Sequence, residues 1–203
     1  DPTNALYAGP GATKIDANTS EVPLADITGN IQVNTLAGND TLTLDLTGGD
    51  FIVAGGVAYA AGDPTAGPGD KLVIAGGNQG TVTYNYTNAN DGNIVMSNYG
   101  TVTYTGLEPI ANSGNAANAI FNLPRGPNTD AVVENDGAAG SNKITGSTFE
   151  NTTFTNPTQS LTINLGALGD TITVKEMDAA FAPARAFAIV GGAGPDTFKV
   201  ETL

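Results

Sequence analysis

The sequence of 203 residues contains 27 Gly and 11 Pro but only 13% charged residues, a composition that favours one large all-β domain, or two small ones, built from short strands and tight turns. It has no His and no Cys, which excludes Ser-His-Asp and Cys-His nucleophile pairs, thiolate and imidazole metal sites, and disulfides. The 7 basic and 20 acidic residues give a net charge of −13, which opposes binding to nucleic acid or to anionic membranes.

Several features bear on where the chain is found. Its most apolar stretch, residues 179–192, is interrupted by Pro183 and Arg185, so no membrane insertion is expected. The chain opens with Asp1 and Pro2 rather than Met, and we expect a processed or excised piece of a longer protein. An acidic, Thr-, Asn- and Gly-rich composition is common among secreted and surface proteins of bacteria, although the absence of Cys fits a reducing compartment equally well. We expect an extracellular or cell-surface location.

A repeated pattern is the clearest signal along the chain. Residues 31–34 followed by 38–44 are echoed by residues 161–164 followed by 168–174. In each copy, alternating apolar residues precede an acidic turn, and alternating apolar residues follow it. Each copy therefore predicts a strand, an acidic turn and a second strand.

A second acidic turn follows each copy, at residues 67–74 and 194–200. Successive turns lie roughly 25 to 30 residues apart within each half, which is the length of one coil of a parallel β-helix with variable loops. The sequence therefore predicts an irregular parallel β-helix or β-solenoid.

The middle of the chain also allows a different fold. Gly80–Tyr84 recurs as Gly100–Tyr104, and the strand Ile94–Met96 lies between them after the hairpin signal Asp91-Gly92. An antiparallel pairing of Val82–Tyr86 with Ile94–Met96 is what a β-sandwich would show, and the sandwich is the alternative architecture. Further short strands are predicted at residues 119–121, 131–133 and 143–145.

The chain divides into four segments on these patterns. Residues 1–30 form an N-terminal extension or first coil, and residues 31–110 form the first repeat half with its central Tyr- and Thr-rich strands. Residues 111–160 form an irregular strand segment, and residues 161–203 form the second repeat half, which we expect to continue into, or stack on, another unit.

These motifs resemble a known class of proteins. Residues 161–164, 169–174 and 191–200 resemble the repeats of large bacterial surface and secreted proteins, whose units are similar to degenerate haemolysin-type calcium repeats. Residues 100–110 are similar to a segment that precedes such repeats. The resemblance covers most of the chain from about Ile31 onward and implies a surface-exposed β-repeat architecture with calcium as an optional ligand.

Residues Gly191–Lys199 match the calcium-binding nonapeptide Gly-Gly-x-Gly-x-Asp-x-apolar-x at each fixed position. A calcium roll holds each ion between successive turns, but the preceding residues 182–190 contain neither Gly nor Asp. Two interpretations of the acidic turns therefore stand: calcium ligation, or side chains that stabilise a tight turn. The candidate metal residues are Asp40, Asp70, Asp170 and Asp196.

Catalysis without His would have to depend on carboxylates. Asn128–Asp130 is similar to the first motif of polygalacturonases, but their further motifs require a His and a basic cluster, and this chain offers only Arg125 and Arg185. The sequence shows no convincing carboxylate pair. We predict that the protein is not an enzyme and requires no cofactor.

The last predicted strand indicates how the chain assembles. A terminal coil exposes unpaired backbone groups and apolar residues, here Phe198 and Val200, and such an edge accepts another strand. The expected partners are copies of the same chain or adjacent repeats of its parent. We predict a non-catalytic segment or subunit of an extracellular surface layer, stalk or filament; the alternative is a calcium-dependent adhesin or binding module on the bacterial surface.

Overall fold

The fold is known from a computed structural model that describes residues 13–14, 20–63, 67, 69–181 and 185–201. The predictions that involve Asp1, Pro2 and Pro183 lie outside these residues. Within them the chain forms strands and two short 3-10 turns, Leu24–Asp26 and Ala179–Phe181, and no α-helix. The prediction of an all-β chain is confirmed.

The strands in this part of the chain are short, as the frequent Gly, Asn and Asp residues require. They are β1 (Thr13–Lys14), β2 (Ser20–Glu21), β3 (Ile31–Asn34), β4 (Thr41–Asp45), β5 (Val57–Ala60), β6 (Lys71–Ala75), β7 (Asn78–Tyr86), β8 (Gly92–Met96), β9 (Gly100–Thr105), β10 (Ile110–Asn112), β11 (Asn115–Asn122), β12 (Ala131–Asn135), β13 (Ser141–Thr145), β14 (Thr152–Thr155), β15 (Ser160–Asn164), β16 (Thr171–Val174), β17 (Ala186–Val190) and β18 (Thr197–Val200).

Two eight-stranded mixed sheets contain all strands except the β1–β2 hairpin. Sheet 1 has the order β3-β5-β9-β8-β7-β11-β15-β17, and sheet 2 has the order β4-β6-β10-β14-β13-β12-β16-β18. Among the described strands, ten pairings are parallel and five are antiparallel. Each of the segments 31–110, 111–160 and 161–203 contributes strands to both sheets.

The chain passes from one sheet to the other at nearly every step, and two hairpin insertions interrupt this alternation. Strand β7 lies three positions beyond β5 in sheet 1, and β8 and β9 fold back antiparallel into the gap. Strands β12, β13 and β14 do the same in sheet 2. The hairpin predicted at Asp91-Gly92 is therefore present, and all pairings of the two sheets outside these two insertions are parallel. Because each insertion reverses direction twice, the two edge strands of each sheet point the same way.

Rows of side chains in register hold each sheet together, since neighbouring strands place equivalent residues about 4.8 Å apart. One row crosses all eight strands of sheet 1, and one crosses all eight strands of sheet 2. The first row is Ile31, Val57, Val102, Ile94, Tyr84, Phe121, Ile163 and Ile189. The second is Leu42, Leu72, Ile110, Thr152, Ile144, Val133, Val174 and Val200.

The core lies between the two sheets. Phe121 of sheet 1 stacks on Tyr84 at 4.5 Å between ring centroids and approaches Phe154 of sheet 2 at 4.8 Å. Thr152 is the polar member of its row, and its hydroxyl is hydrogen-bonded to the Tyr86 hydroxyl of sheet 1 at 2.7 Å. Tyr84 and Tyr86 of β7 and Tyr104 of β9 alternate with polar residues along their strands, and all three side chains are buried in this core.

A ladder of asparagines runs across the outer face of sheet 1. Asn164 donates to Asn122 at 2.6 Å, Asn122 donates to Asn85 at 2.7 Å, and Asn85 donates to Asn93 at 2.8 Å. Each bond joins residues that are paired in register on adjacent strands. The abundance of Asn in the sequence thus has a structural role in linking four strands of sheet 1.

Candidate assembly edge and acidic corners

Strands β17 and β18 form the same end of the two sheets, which we call the terminal edge. Its apolar side chains are accessible: Phe187 is 36% exposed, Val190 50%, Phe198 51% and Val200 76%. Phe198 and Val200, the predicted edge residues, continue the rows of Ile172 and Val174 on β16. In β16, which β18 covers, the corresponding Ile172 is fully buried and Val174 is partly buried.

Strands β3 and β4 form the opposite end of both sheets, the initial edge. Ile31, Val33 and Leu42 on these strands are partly buried, and Leu44 is 4% exposed. Four of the nine large apolar residues that are exposed in the described part of the chain therefore lie on the two strands of the terminal edge, whereas none lies on β3 or β4; Val22, Leu24 and Leu36 are exposed in the segments that flank β3.

We use the word coil for one strand of sheet 1, the next strand of sheet 2 and the connection between them; the connections of the coils at the two edges have the same length. Asp40 lies six positions after the end of β3, Asp170 six after the end of β15, and Asp196 six after the end of β17. Each of these aspartates immediately precedes the next strand in sheet 2. The first coil and the last two coils therefore turn the same kind of corner.

The corner aspartates hold successive coils together through their carboxylates. Asp70 accepts a hydrogen bond from the backbone N–H of Asp40 at 2.7 Å, and Asp196 accepts one from the backbone N–H of Asp170 at 3.0 Å. Asp170 in turn accepts from the backbone N–H of Asn128 at 2.7 Å and from its side-chain amide at 3.0 Å. In each case the later coil supplies the carboxylate and the earlier coil the N–H.

These contacts require the backbones of successive corners to approach closely. Gly192 has φ +83°, and a Cβ there would lie 2.2 Å from the carbonyl oxygen of Gly166. Two features therefore require glycine at this position: the left-handed backbone conformation, and the close approach of the neighbouring coil, which leaves no room for a Cβ.

The four predicted metal residues form two separate pairs, Asp40 with Asp70 and Asp170 with Asp196. The second carboxylate oxygens of Asp40, Asp70 and Asp170 are buried and have no hydrogen-bond partner. Asp70 and Asp170 are at most 1% exposed. Among the described residues, no three Asp, Glu, His or Cys side chains converge in a way that could hold a metal ion. Each pair thus combines a structural hydrogen bond with an unsatisfied oxygen.

The segment that resembles a polygalacturonase motif has structural contacts. Asn128 is fully buried and accepts a hydrogen bond from the Thr148 hydroxyl at 2.6 Å. Asp130 accepts from the backbone N–H of Ser147 with both carboxylate oxygens at 3.1 Å. Both side chains connect the segment just before β12 to the connection between β13 and β14.

A pair of carboxylates that the sequence did not reveal lines one cavity. Glu108, between β9 and β10, and Glu150, just before β14, border a cavity of about 360 Å³. Glu150 is 3% exposed. Burial raises the pKa of Glu150 to about 8; the N–H of Asn151 opposes this rise and the charge of Glu108 adds to it. The two residues are 42 positions apart, and the only local signal is an acidic residue directly after Phe149 in a strand-forming region.

No family model, curated protein or solved structure matches the chain. The resemblance to haemolysin-type repeats therefore stays a prediction. In the part of the chain that the structure describes, no helix has the length and apolar character needed to span a membrane.

Proposed function

We propose that the protein is a non-catalytic β-solenoid segment or subunit that stacks end to end into an extended extracellular structure such as a stalk, filament or surface layer. The observation that carries this proposal is the terminal edge, where the interior rows of both sheets end in exposed apolar side chains. Exposed edge strands with apolar rows are templates for further strands.

The partner that fits this edge is the initial edge of a second copy. All edge strands point in the same direction within their sheet, so β3 and β4 of the next copy can extend sheets 1 and 2 in parallel beyond β17 and β18. The equal spacing of the corners allows both sheets to continue at once. A contact of this head-to-tail kind need not close on itself, and an open series of such contacts is a filament.

The existing coil contacts give the expected register at the junction. Asp196 of one copy would lie beside Asp40 of the next, as Asp170 lies beside Asp196 within the chain. Phe198 would then pair with Leu42, and Lys199 with Thr43, of the next copy. In this register the backbone N–H of Asp196 donates to Oδ1 of Asp40 in the next copy, as the backbone N–H of Asp170 donates to Oδ1 of Asp196 within the chain.

Electron microscopy combined with sedimentation over a range of concentrations tests the proposal. The wild-type protein should form end-to-end assemblies that lengthen with concentration. Val200→Lys should abolish them, because a charge at an inward-facing edge position prevents strand addition. The matched control is Val95→Lys on the outer face of β8, which is 37% exposed and should assemble normally. Compact monodisperse wild-type particles at high concentration would contradict the proposal.

A second candidate function is calcium binding at the acidic corners, as part of a surface adhesin or binding module. The unpartnered buried oxygens of Asp40, Asp70 and Asp170 favour it, because a buried carboxylate oxygen without a donor is costly unless a cation or water satisfies it. Within each pair, the two carboxylates would hold the ion, and the charge of the ion would reduce the repulsion between them. Calorimetry and thermal unfolding with millimolar calcium test this; no heat and no change in melting temperature would leave the hydrogen-bonding role alone.

A further inference from the structure

The cavity beside Glu150 lies at one corner of the fold, where turns from both sheets meet. Ala89 and Asn90 come from the β7–β8 turn of sheet 1, and Ser147 and Glu150 come from the β13–β14 connection of sheet 2. Glu108 completes the wall between them. A volume of about 360 Å³ has room for about ten water molecules. The turns of the two hairpin insertions therefore border one polar cavity, which we call the chamber.

Glu150 is the unusual member of this chamber. The side chain is 3% exposed, lines the cavity, and has one carboxylate oxygen that is buried without a hydrogen-bond partner. Its backbone is fixed, because the hydroxyl of Thr152 donates to the Glu150 carbonyl at 3.1 Å. A buried carboxylate oxygen without a hydrogen-bond partner is costly unless a water molecule or a cation satisfies it.

Glu108 faces the same chamber and is also held in place. Its Oε1 accepts a hydrogen bond from the side-chain amide of Asn90 at 3.0 Å, and that amide also donates to the Leu107 carbonyl at 3.1 Å. The ion pairs of the described residues both use Glu134. Neither Glu108 nor Glu150 therefore has a basic partner in the part of the chain that the structure describes.

We propose that this chamber is a binding site for a hard divalent cation of the calcium class, held between the carboxylates of Glu108 and Glu150. Neutral oxygens of the lining residues and water complete the six to eight ligands that calcium takes, which suits a roomy and irregular chamber. Magnesium demands a regular octahedron and is expected to bind more weakly. The site is separate from the corner aspartates and does not depend on end-to-end assembly.

Terbium luminescence provides a direct test, because terbium replaces calcium and is excited by nearby tyrosines. The chain has no Trp, and Tyr86 lies near the chamber, because its hydroxyl is hydrogen-bonded to the Thr152 hydroxyl, which in turn donates to the Glu150 carbonyl. After dialysis against a chelator, terbium should give sensitised emission that calcium displaces and magnesium displaces less effectively. Glu150→Gln and Glu108→Gln should each weaken terbium and calcium binding at least tenfold, with calorimetry as the second readout.

Two control variants separate this site from other acidic positions. Asp170→Asn alters a corner aspartate and Asp45→Asn removes an exposed acid, and both should keep the sensitised emission. Circular dichroism verifies that each variant is folded, and Glu108→Gln provides the test if Glu150→Gln is not. Unchanged terbium affinity in both chamber variants, or loss of emission only in Asp170→Asn, would overturn the proposal.

Discussion

The buried Glu150 should make the stability of the protein depend on pH in a defined window when cations are removed by a chelator. Its pKa is raised from 4.5 to about 8 by burial, so the folded state retains a proton that the unfolded state releases. The stabilising effect of protonated Glu150 is complete below pH 4.5 and is lost as the pH rises to 8. The rise in pKa from 4.5 to about 8 corresponds to a loss of at most about 5 kcal/mol in the free energy of unfolding between these pH values. Local relaxation around the ionised carboxylate should reduce this loss to about 2 to 4 kcal/mol.

Urea unfolding at pH 4.5, 6 and 8 measures this effect through the difference between the wild type and Glu150→Gln. The variant, which cannot ionise, should be similar in stability to the wild type at pH 4.5 and more stable by about 2 to 4 kcal/mol at pH 8. Glu176→Gln, which removes an exposed acid, should show no such divergence. Equal pH dependence of the wild type and Glu150→Gln would refute the reasoning.

Three further substitutions test the contacts that join the strands, each by urea unfolding. Tyr86→Phe removes the buried hydrogen bond to Thr152 and should cost about 1 to 2 kcal/mol, whereas an unchanged stability would mean that water replaces it. Asn122→Ala removes the two ladder bonds that Asn122 makes and should lower the free energy of unfolding by about 1 to 2 kcal/mol. A smaller loss would show that the ladder contributes little to stability. Burial raises the pKa of Glu134, but hydrogen bonds and charge interactions with Lys143 and Lys175 lower it by more, so the pKa of this carboxyl lies below its usual value. Glu134→Gln should therefore lose up to about 1 kcal/mol at pH 7 and less as the pH falls towards the lowered pKa, and an effect independent of pH and salt would contradict this.

The parts of the fold that follow from local sequence could be predicted. Strands β3, β4, β15 and β16 alternate apolar and polar residues around an acidic turn, and those signals lie within 15 residues. The β7–β8 hairpin follows from Asp91-Gly92 in the same way. The position of the hairpin within sheet 1 is not a local property, because β9 pairs with β5, whose residues lie 45 positions earlier in the chain.

The candidate sites show the same division. The corner aspartates were predictable because a turn next to a strand start is visible in the sequence. Their grouping into two pairs, and the unpartnered oxygens of Asp40, Asp70 and Asp170, depend on which coils are adjacent. The pairing of Glu108 with Glu150 arises only when turns from two distant hairpins meet at one corner, and no spacing rule in the sequence indicates it.

Disulfide trapping of the proposed junction tests the central claim most directly, because the chain has no Cys of its own. In the expected register, Lys199 of one copy lies beside Thr43 of the next, at a strand spacing that a disulfide can bridge. The double variant Thr43→Cys, Lys199→Cys should give a ladder of disulfide-linked multimers on oxidation. The control pair Thr43→Cys, Thr197→Cys, displaced by about 7 Å along the strand, should give few. Monomers only, or equal multimer yields from both pairs, would contradict head-to-tail assembly in this register.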